Sequence, residues 1–96
     1  MYARVAMFNL DPTSADEMIG SVREDVEKGP PPGLEEAKGM MMLVDREKGK
    51  SMGIVLFDSE DALKRGDEVL NNMNPSGGGN SRTSVEFYEV AVQMMR

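Results

Sequence analysis

No cysteine and no histidine occur anywhere in the 96 residues. The first absence excludes disulfides, thiolate nucleophiles and thiolate metal ligands. Together the two absences remove the usual zinc, copper and haem ligands and every Ser-His or Cys-His catalytic pair. Tryptophan is missing as well, and aromatic residues make up only 5% of the chain. No apolar run approaches the roughly 20 residues that cross a bilayer. Met1 to Leu10 is mildly apolar but carries Arg4 and runs into Asp11-Pro12 without a small-residue cleavage pattern. These features predict a soluble, cytoplasmic protein without a signal peptide.

Positive charge is also scarce. Lys and Arg total 11 against 17 Asp and Glu, a formal net charge of -6. Arg4, Arg23, Arg46, Arg65 and Arg82 are scattered along the chain. Such a balance repels phosphate backbones and anionic lipid, so neither nucleic acid nor a membrane surface is an expected partner. What remains suits a folded domain, because 40% hydrophobic and 29% charged residues are too apolar a mixture for disorder. One domain is expected over 1–96. A domain this small buries only roughly 60 to 65% of its unfolded surface, so a second copy would help it.

Tyr2 to Phe8 reads as a strand closed by Asn9, Asp11 and Pro12. Ser14-Ala15-Asp16-Glu17 fits a capping box, and Ala15, Met18, Ile19, Val22 and Val26 follow as the apolar stripe of a first helix. Gly29 and Pro30-Pro31-Pro32 end that helix, and Gly33 redirects the chain. Lys38 to Asp45 and Ser51 to Phe57 are strands joined by a hairpin turn, with Gly49 free to take a positive φ. Asp58 or Ser59 caps a second helix with Glu60 and Asp61 in its first turn and an apolar stripe running from Ala62 to Met73. A glycine-rich loop follows, and Arg82 to Met95 reads as a long last strand. The order is strand, helix, strand, strand, helix, strand: a ferredoxin-like α+β fold with a four-stranded antiparallel sheet and two helices on one face.

Two helices cover one face of such a sheet, and a face left in water should alternate apolar with polar. These strands do not alternate. Met52, Ile54 and Leu56 oppose Gly53, Val55 and Phe57; Met41 and Leu43 oppose Met40, Met42 and Val44; Ala3, Val5 and Met7 oppose Tyr2, Ala6 and Phe8. Leaving the helix-free face wet would expose several large side chains together, which marks an interface. A homodimer closed by sheet-on-sheet pairing is therefore expected, and the overlong last strand would reach toward the partner.

Leu43-Val44-Asp45-Arg46-Glu47-Lys48-Gly49-Lys50, followed by Phe57-Asp58-Ser59-Glu60-Asp61-Ala62-Leu63, resembles the hairpin-to-helix core of antibiotic biosynthesis monooxygenase-like domains. These belong to the dimeric α+β barrel superfamily. The resemblance implies a homodimeric barrel; relatives include cofactor-independent oxygenases of aromatic polyketides, haem-degrading enzymes and small isomerases. Phe57 stands where Trp is common, and the proximal His of haem-degrading relatives is missing, so haem degradation is not implied. No cofactor is expected.

Arg4 shares a face with Tyr2, Ala6 and Phe8, which is assigned to the barrel interior because the opposite face is small and aliphatic enough to meet helices. A buried cation needs an anion, either a ligand carboxylate or phenolate or a Glu of the last strand such as Glu86 or Glu89. Tyr88 could stack on an aromatic ligand and donate its hydroxyl, or fill the core. Asn9 could hold an oxyanion, or serve the turn before Asp11-Pro12. Arg4, Asn9 and Tyr88 are the candidate catalytic residues, and Tyr2, Phe8, Phe57 and Phe87 the candidate ligand contacts. The ten methionines could line an adaptable apolar pocket or fill the core. Gly77-Gly78-Gly79 follows a helix and precedes a strand, the reverse of a phosphate-binding loop, and reads as a mobile rim. Glu35-Glu36 and Glu60-Asp61 read as solvated or dipole-directed carboxylates. The expected role is binding of a small apolar or aromatic molecule in a mostly apolar pocket between helix and sheet or within the barrel, reached past the glycine loop, with or without cofactor-independent oxidation; the alternative is a non-catalytic binding or assembly module with a filled interior.

Overall fold

A computed structural model describes residues 1–29, 33–72 and 81–94. Its elements are β1 (Tyr2–Asn9), α1 (Ala15–Glu27), β2 (Ala37–Asp45), β3 (Lys50–Phe57), α2 (Glu60–Asn72) and β4 (Ser81–Glu89). They form one antiparallel sheet in the order β2-β3-β1-β4. This is the ferredoxin-like α+β arrangement that the element order predicts.

The β2–β3 hairpin turns at Gly49, whose φ is +64°, and the Lys48 amide donates to Asp45 Oδ1 at 3.1 Å. Ser59 caps α2 through its hydroxyl, which accepts from the Ala62 amide at 3.1 Å. Before α1 the expected capping box does not form. Asp11 caps a short 3-10 turn over Pro12–Ser14 instead, accepting from the Thr13 amide at 3.0 Å and the Thr13 hydroxyl at 2.7 Å. Pro12 starts this turn three residues earlier than the box requires, so Ser14 donates its hydroxyl to the Asp11 carbonyl and makes no side-chain cap for α1. The last strand is likewise shorter than expected. β4 stops at Glu89 opposite Tyr2, and one further bond, Val90 N–H to Met1 O at 2.8 Å, ends its pairing. Among the described residues no strand pairs with residues 91–94. The triple-proline and triple-glycine segments, Met73, Met95 and Arg96 lie outside the described residues.

Register fixes the two faces of the sheet. Tyr2, Arg4, Ala6 and Phe8 stand opposite Phe57, Val55, Gly53 and Ser51, and Met40, Met42 and Val44 continue that face across β2. Arg4 bonds to α2, so this is the helix side and not the interior assigned from sequence. The size and aliphatic character of Ala3, Val5 and Met7 did not distinguish the faces, because both are rich in small and aliphatic residues. On the other face lie Val5, Met7, Met41, Leu43, Ile54 and Leu56, all half-buried or exposed. Ser84, Glu86 and Tyr88 border it along β4.

The core sits between α2 and the sheet, where Leu34, Val55, Phe57, Ala62 and Leu63 are buried together. Gly66 permits this approach. A Cβ there would fall inside contact distance of Phe57 Cζ and Cε1, whereas a Cβ at Gly20 of α1 meets nothing within 4 Å. The two glycines should therefore respond oppositely. Gly66→Ala should lower stability by about 1–3 kcal/mol through overpacking, while Gly20→Ala should raise it by about 0.5–1 kcal/mol through helix propensity. Denaturant midpoints of the two variants check this, and a stabilised Gly66→Ala would contradict the close α2–sheet packing.

Candidate functional site: a cleft between the first helix and the sheet

While α2 lies close on β1 and β3, α1 leaves a cleft of about 950 Å³ between itself and the sheet. Its helix wall is Met18, Ile19 and Val22, and its sheet floor includes Ala6, Met40, Met42 and Gly53. Gly53 and Ala6, paired in register, keep the floor low, since neither raises a bulky side chain. A smaller recess of about 350 Å³ shares Val22, Val26, Met40 and Leu70 with it. The helical stripe read from sequence is thus a wall facing an open space. Val26 at its end is exposed.

A polar cluster stands at one side of the cleft, joining β1, α2 and β4. Arg4, only 4% exposed, donates from Nε to Asp67 Oδ1 at 2.8 Å and from Nη2 to Asn71 Oδ1 at 3.2 Å. Asn71 donates from Nδ2 to Asp67 Oδ2 at 3.2 Å. Arg82 donates from Nη1 to the same Asn71 Oδ1 at 2.7 Å. Arg4, Asn71 and Arg82 all line the cleft, as do the exposed Arg23 and Glu27. The partner of Arg4 is therefore Asp67 of α2, rather than Glu86 or Glu89 of the last strand.

The candidate residues read from sequence do not converge. Arg4 and Phe8 line the cleft. Phe57 is 0% exposed beneath α2, with Tyr2 packed on the same cluster, so neither borders the cleft. Phe87, opposite Arg4 on β4, is half exposed outside it. Asn9 is exposed at the end of β1, between Lys50 and Ser81 in register. Tyr88 lies on the opposite face of the sheet, where its hydroxyl donates to the Glu86 carboxylate. That hydrogen bond, reinforced by the negative charge, holds the phenol above its ordinary value of 10.0. Asp67, Asn71 and Arg82 join the site without having been among the candidate residues. The available signal was that Asp67 and Asn71 are four apart on one helix face beside Leu63 and Leu70. Among the described residues no group of three or more Asp and Glu could hold a metal ion.

Two exposed ion pairs tie the elements around the cleft. Arg46 of the hairpin donates to Asp16 of α1 at 2.6 Å, and Arg65 of α2 grips Glu36 through two bonds of 2.8 and 2.7 Å. The hydrogen bond from Arg46 lowers the Asp16 value below 3.8, and that from Arg65 lowers Glu36 below 4.5. Both carboxylates are depressed in the folded chain, so their contribution is present above the unfolded values and is lost as pH falls through the folded ones. Exposed pairs contribute little. We expect a shallow acid-side decline in stability below about pH 4, reduced further by salt and removed in part by Asp16→Asn. Chemical denaturation across pH checks it; a stability that rises on acidification would contradict these pairings.

No protein-family model matches the chain, and no curated protein matches it. Solved structures do. One is a variant of MhuD with two manganese protoporphyrin IX molecules bound per active site, with a TM-score of 0.72, 8% identity and 100% of both chains covered. Another is an antibiotic biosynthesis monooxygenase, with a TM-score of 0.60 and 18% identity over 96% of this chain and 100% of that one. Identities this low speak to fold alone. The chain thus has the ferredoxin-like α+β fold of the antibiotic biosynthesis monooxygenase-like proteins.

Proposed function

We propose that this chain is a homodimeric small-molecule-binding domain whose ligand lies in the cleft between α1 and the sheet. One observation carries the binding half: an open, methionine-lined space of about 950 Å³ with Arg4, Asn71 and Arg82 at one side. That size is within the range of small-molecule sites, and apolar walls with a few convergent polar groups are their usual composition. A filled-interior assembly module would have closed this space with side chains. Methionine walls suit an apolar or aromatic ligand, because the unbranched thioether adapts to its shape.

The dimer half rests on the helix-free face. Val5, Met7, Met41, Leu43, Ile54 and Leu56 form one apolar surface there, and a second copy meeting it face to face hides both. A twofold axis makes the patch self-complementary. The tail after β4 adds to this, since Val92 and Met94 are 90% and 77% exposed on a single subunit and a twin would cover them. The dimeric barrel that the fold suggests has this geometry.

Catalysis is a narrower reading. The cleft lacks histidine and cysteine, and Tyr88 and Asn9 stand away from it. Cofactor-independent oxidation of an electron-rich aromatic molecule would draw its electrons from the substrate, with Arg4 and Arg82 holding the anion. Thermal-shift screening against phenols, quinols and aromatic acids, followed by oxygen uptake on each hit, tests both readings. Binding without oxygen uptake identifies a carrier, uptake identifies the oxygenase, and a flat screen overturns the ligand site.

A further inference from the structure

The arginine cluster specifies the ligand's head group. We infer that the cleft takes an amphipathic carboxylate, with its hydrocarbon body between α1 and the sheet and its carboxylate against Arg82 and Arg4. This rests on the cleft being a ligand site, as proposed above.

Charge accounting within the cluster leads to it. The single carboxylate, Asp67, is used on both oxygens: Oδ1 accepts from Arg4 and Oδ2 from Asn71. Among the described residues Arg82 meets only a neutral amide oxygen, Asn71 Oδ1, which it shares with Arg4. Two guanidinium groups therefore stand in a cluster with one carboxylate, leaving a net positive charge beside an apolar space. Among the described ion pairs Arg4, Arg46 and Arg65 each have an acidic partner, and Arg82 has none. Arg23, also on the cleft lining, has none either, against a single lining carboxylate, Glu27. The chain as a whole carries -6, so the cleft is of opposite sign to its surroundings.

The geometry of recognition follows. Arg4 is oriented by its bonds to α2 and cannot swing out, whereas Arg82 is exposed on β4 and held by one neutral contact. A carboxylate can accept from the Arg82 fork through two parallel bonds without displacing any existing acid. Asn71, bonded to both arginines, sets their spacing and acts as a positioning residue. An ammonium head would meet uncompensated positive charge, and an alcohol would forgo the charge-assisted bonds.

Two matched trios of probes test this by isothermal titration calorimetry on the full chain. They are 2-naphthoate, 2-naphthylmethanol and 2-naphthylmethylammonium, and decanoate, decanol and decyltrimethylammonium. In at least one trio the carboxylate should bind at least tenfold tighter than the alcohol, a difference of about 1.4 kcal/mol, and the cation most weakly. This order opposes the chain's net charge, so nonspecific attraction cannot produce it. Arg82→Gln should bring the carboxylate-to-alcohol ratio close to one, and because Arg82 is exposed the variant should keep the wild-type circular dichroism spectrum. Equal binding of carboxylate and alcohol, or a ratio unchanged in Arg82→Gln, overturns the head-group inference and leaves the cleft as an apolar site. Failure of all six probes to bind overturns the cleft reading itself.

Discussion

Ile54→Asp should convert the proposed dimer into a monomer. Ile54 sits in β3, opposite Val5 on one side and Met41 on the other, at the middle of the helix-free face. Its side chain points away from the core of Leu34, Val55, Phe57, Ala62 and Leu63, so the subunit should keep its fold. Burying a side chain of this size is worth about 1.5–3 kcal/mol, and a twofold interface contains the residue twice. Its loss, with two carboxylates placed in an apolar contact, should weaken association by about 3 kcal/mol or more, a hundredfold or greater rise in the dimer dissociation constant. Sedimentation velocity over a dilution series measures it. An Ile54→Asp protein that associates as tightly as wild type would move the interface elsewhere.

Asp67→Leu should cost nearly as much within one subunit. Arg4 is 4% exposed, and among the described residues Asp67 carries the only carboxylate bonded to it. Removing one partner of a buried pair leaves an uncompensated charge, at about 3–5 kcal/mol; the 24% exposure of the Asp67 side chain places this change at about 3 kcal/mol. Replacing both partners by apolar residues removes the burial penalty along with the attraction, so Arg4→Met with Asp67→Leu should recover most of that loss. Urea unfolding of both single variants and the double variant forms the cycle. If Asp67→Leu is neutral, or if the double variant is as unstable as the sum of the singles, Arg4 does not depend on α2 in the way its bonds imply.

Local pattern carried most of the fold. Gly49 between two apolar runs announced the hairpin, and Ser59 with Glu60 and Asp61 announced the start of α2. The doubly apolar strands announced a sheet with apolar residues on both faces, as the register has it. Side-chain period alone could not say which face met the helices, because Ala3, Val5 and Met7 look as fit to receive a helix as Tyr2, Ala6 and Phe8. What decides it is Gly66, which lets α2 settle on the Phe57 ring, and that contact joins residues on different elements. Ser14 and Glu17 satisfied a capping motif, yet Asp11 and Pro12 one turn earlier captured the amides first. The last strand was overextended for a different reason. Strand propensity runs on past Glu89, but ladder pairing ends where β1 begins.

The candidate site was less legible than the fold. A buried Arg4 demanded an acid, which the sequence supplies in abundance; only folding shows that Asp67, 63 residues away, answers it. A pocket between helix and sheet is one of the two places the sequence allows, the other being the barrel interior, but nothing in the pattern chooses between them. The stripe of Met18, Ile19, Val22 and Val26 is the pattern of any core-facing helix, and the space in front of it arises because α1 stands farther from the sheet than α2 does. Aromatic residues drew attention as ligand contacts, yet most of them serve the core or the sheet surface, and the walls of the cleft are methionine and aliphatic.

The proposed assembly depends on the bare side of the sheet being covered by an identical chain. Multi-angle light scattering on purified protein measures that directly. A mass of twice 10.6 kDa is the predicted result, and a stable species at 10.6 kDa down to the lowest and up to the highest attainable concentration would contradict it.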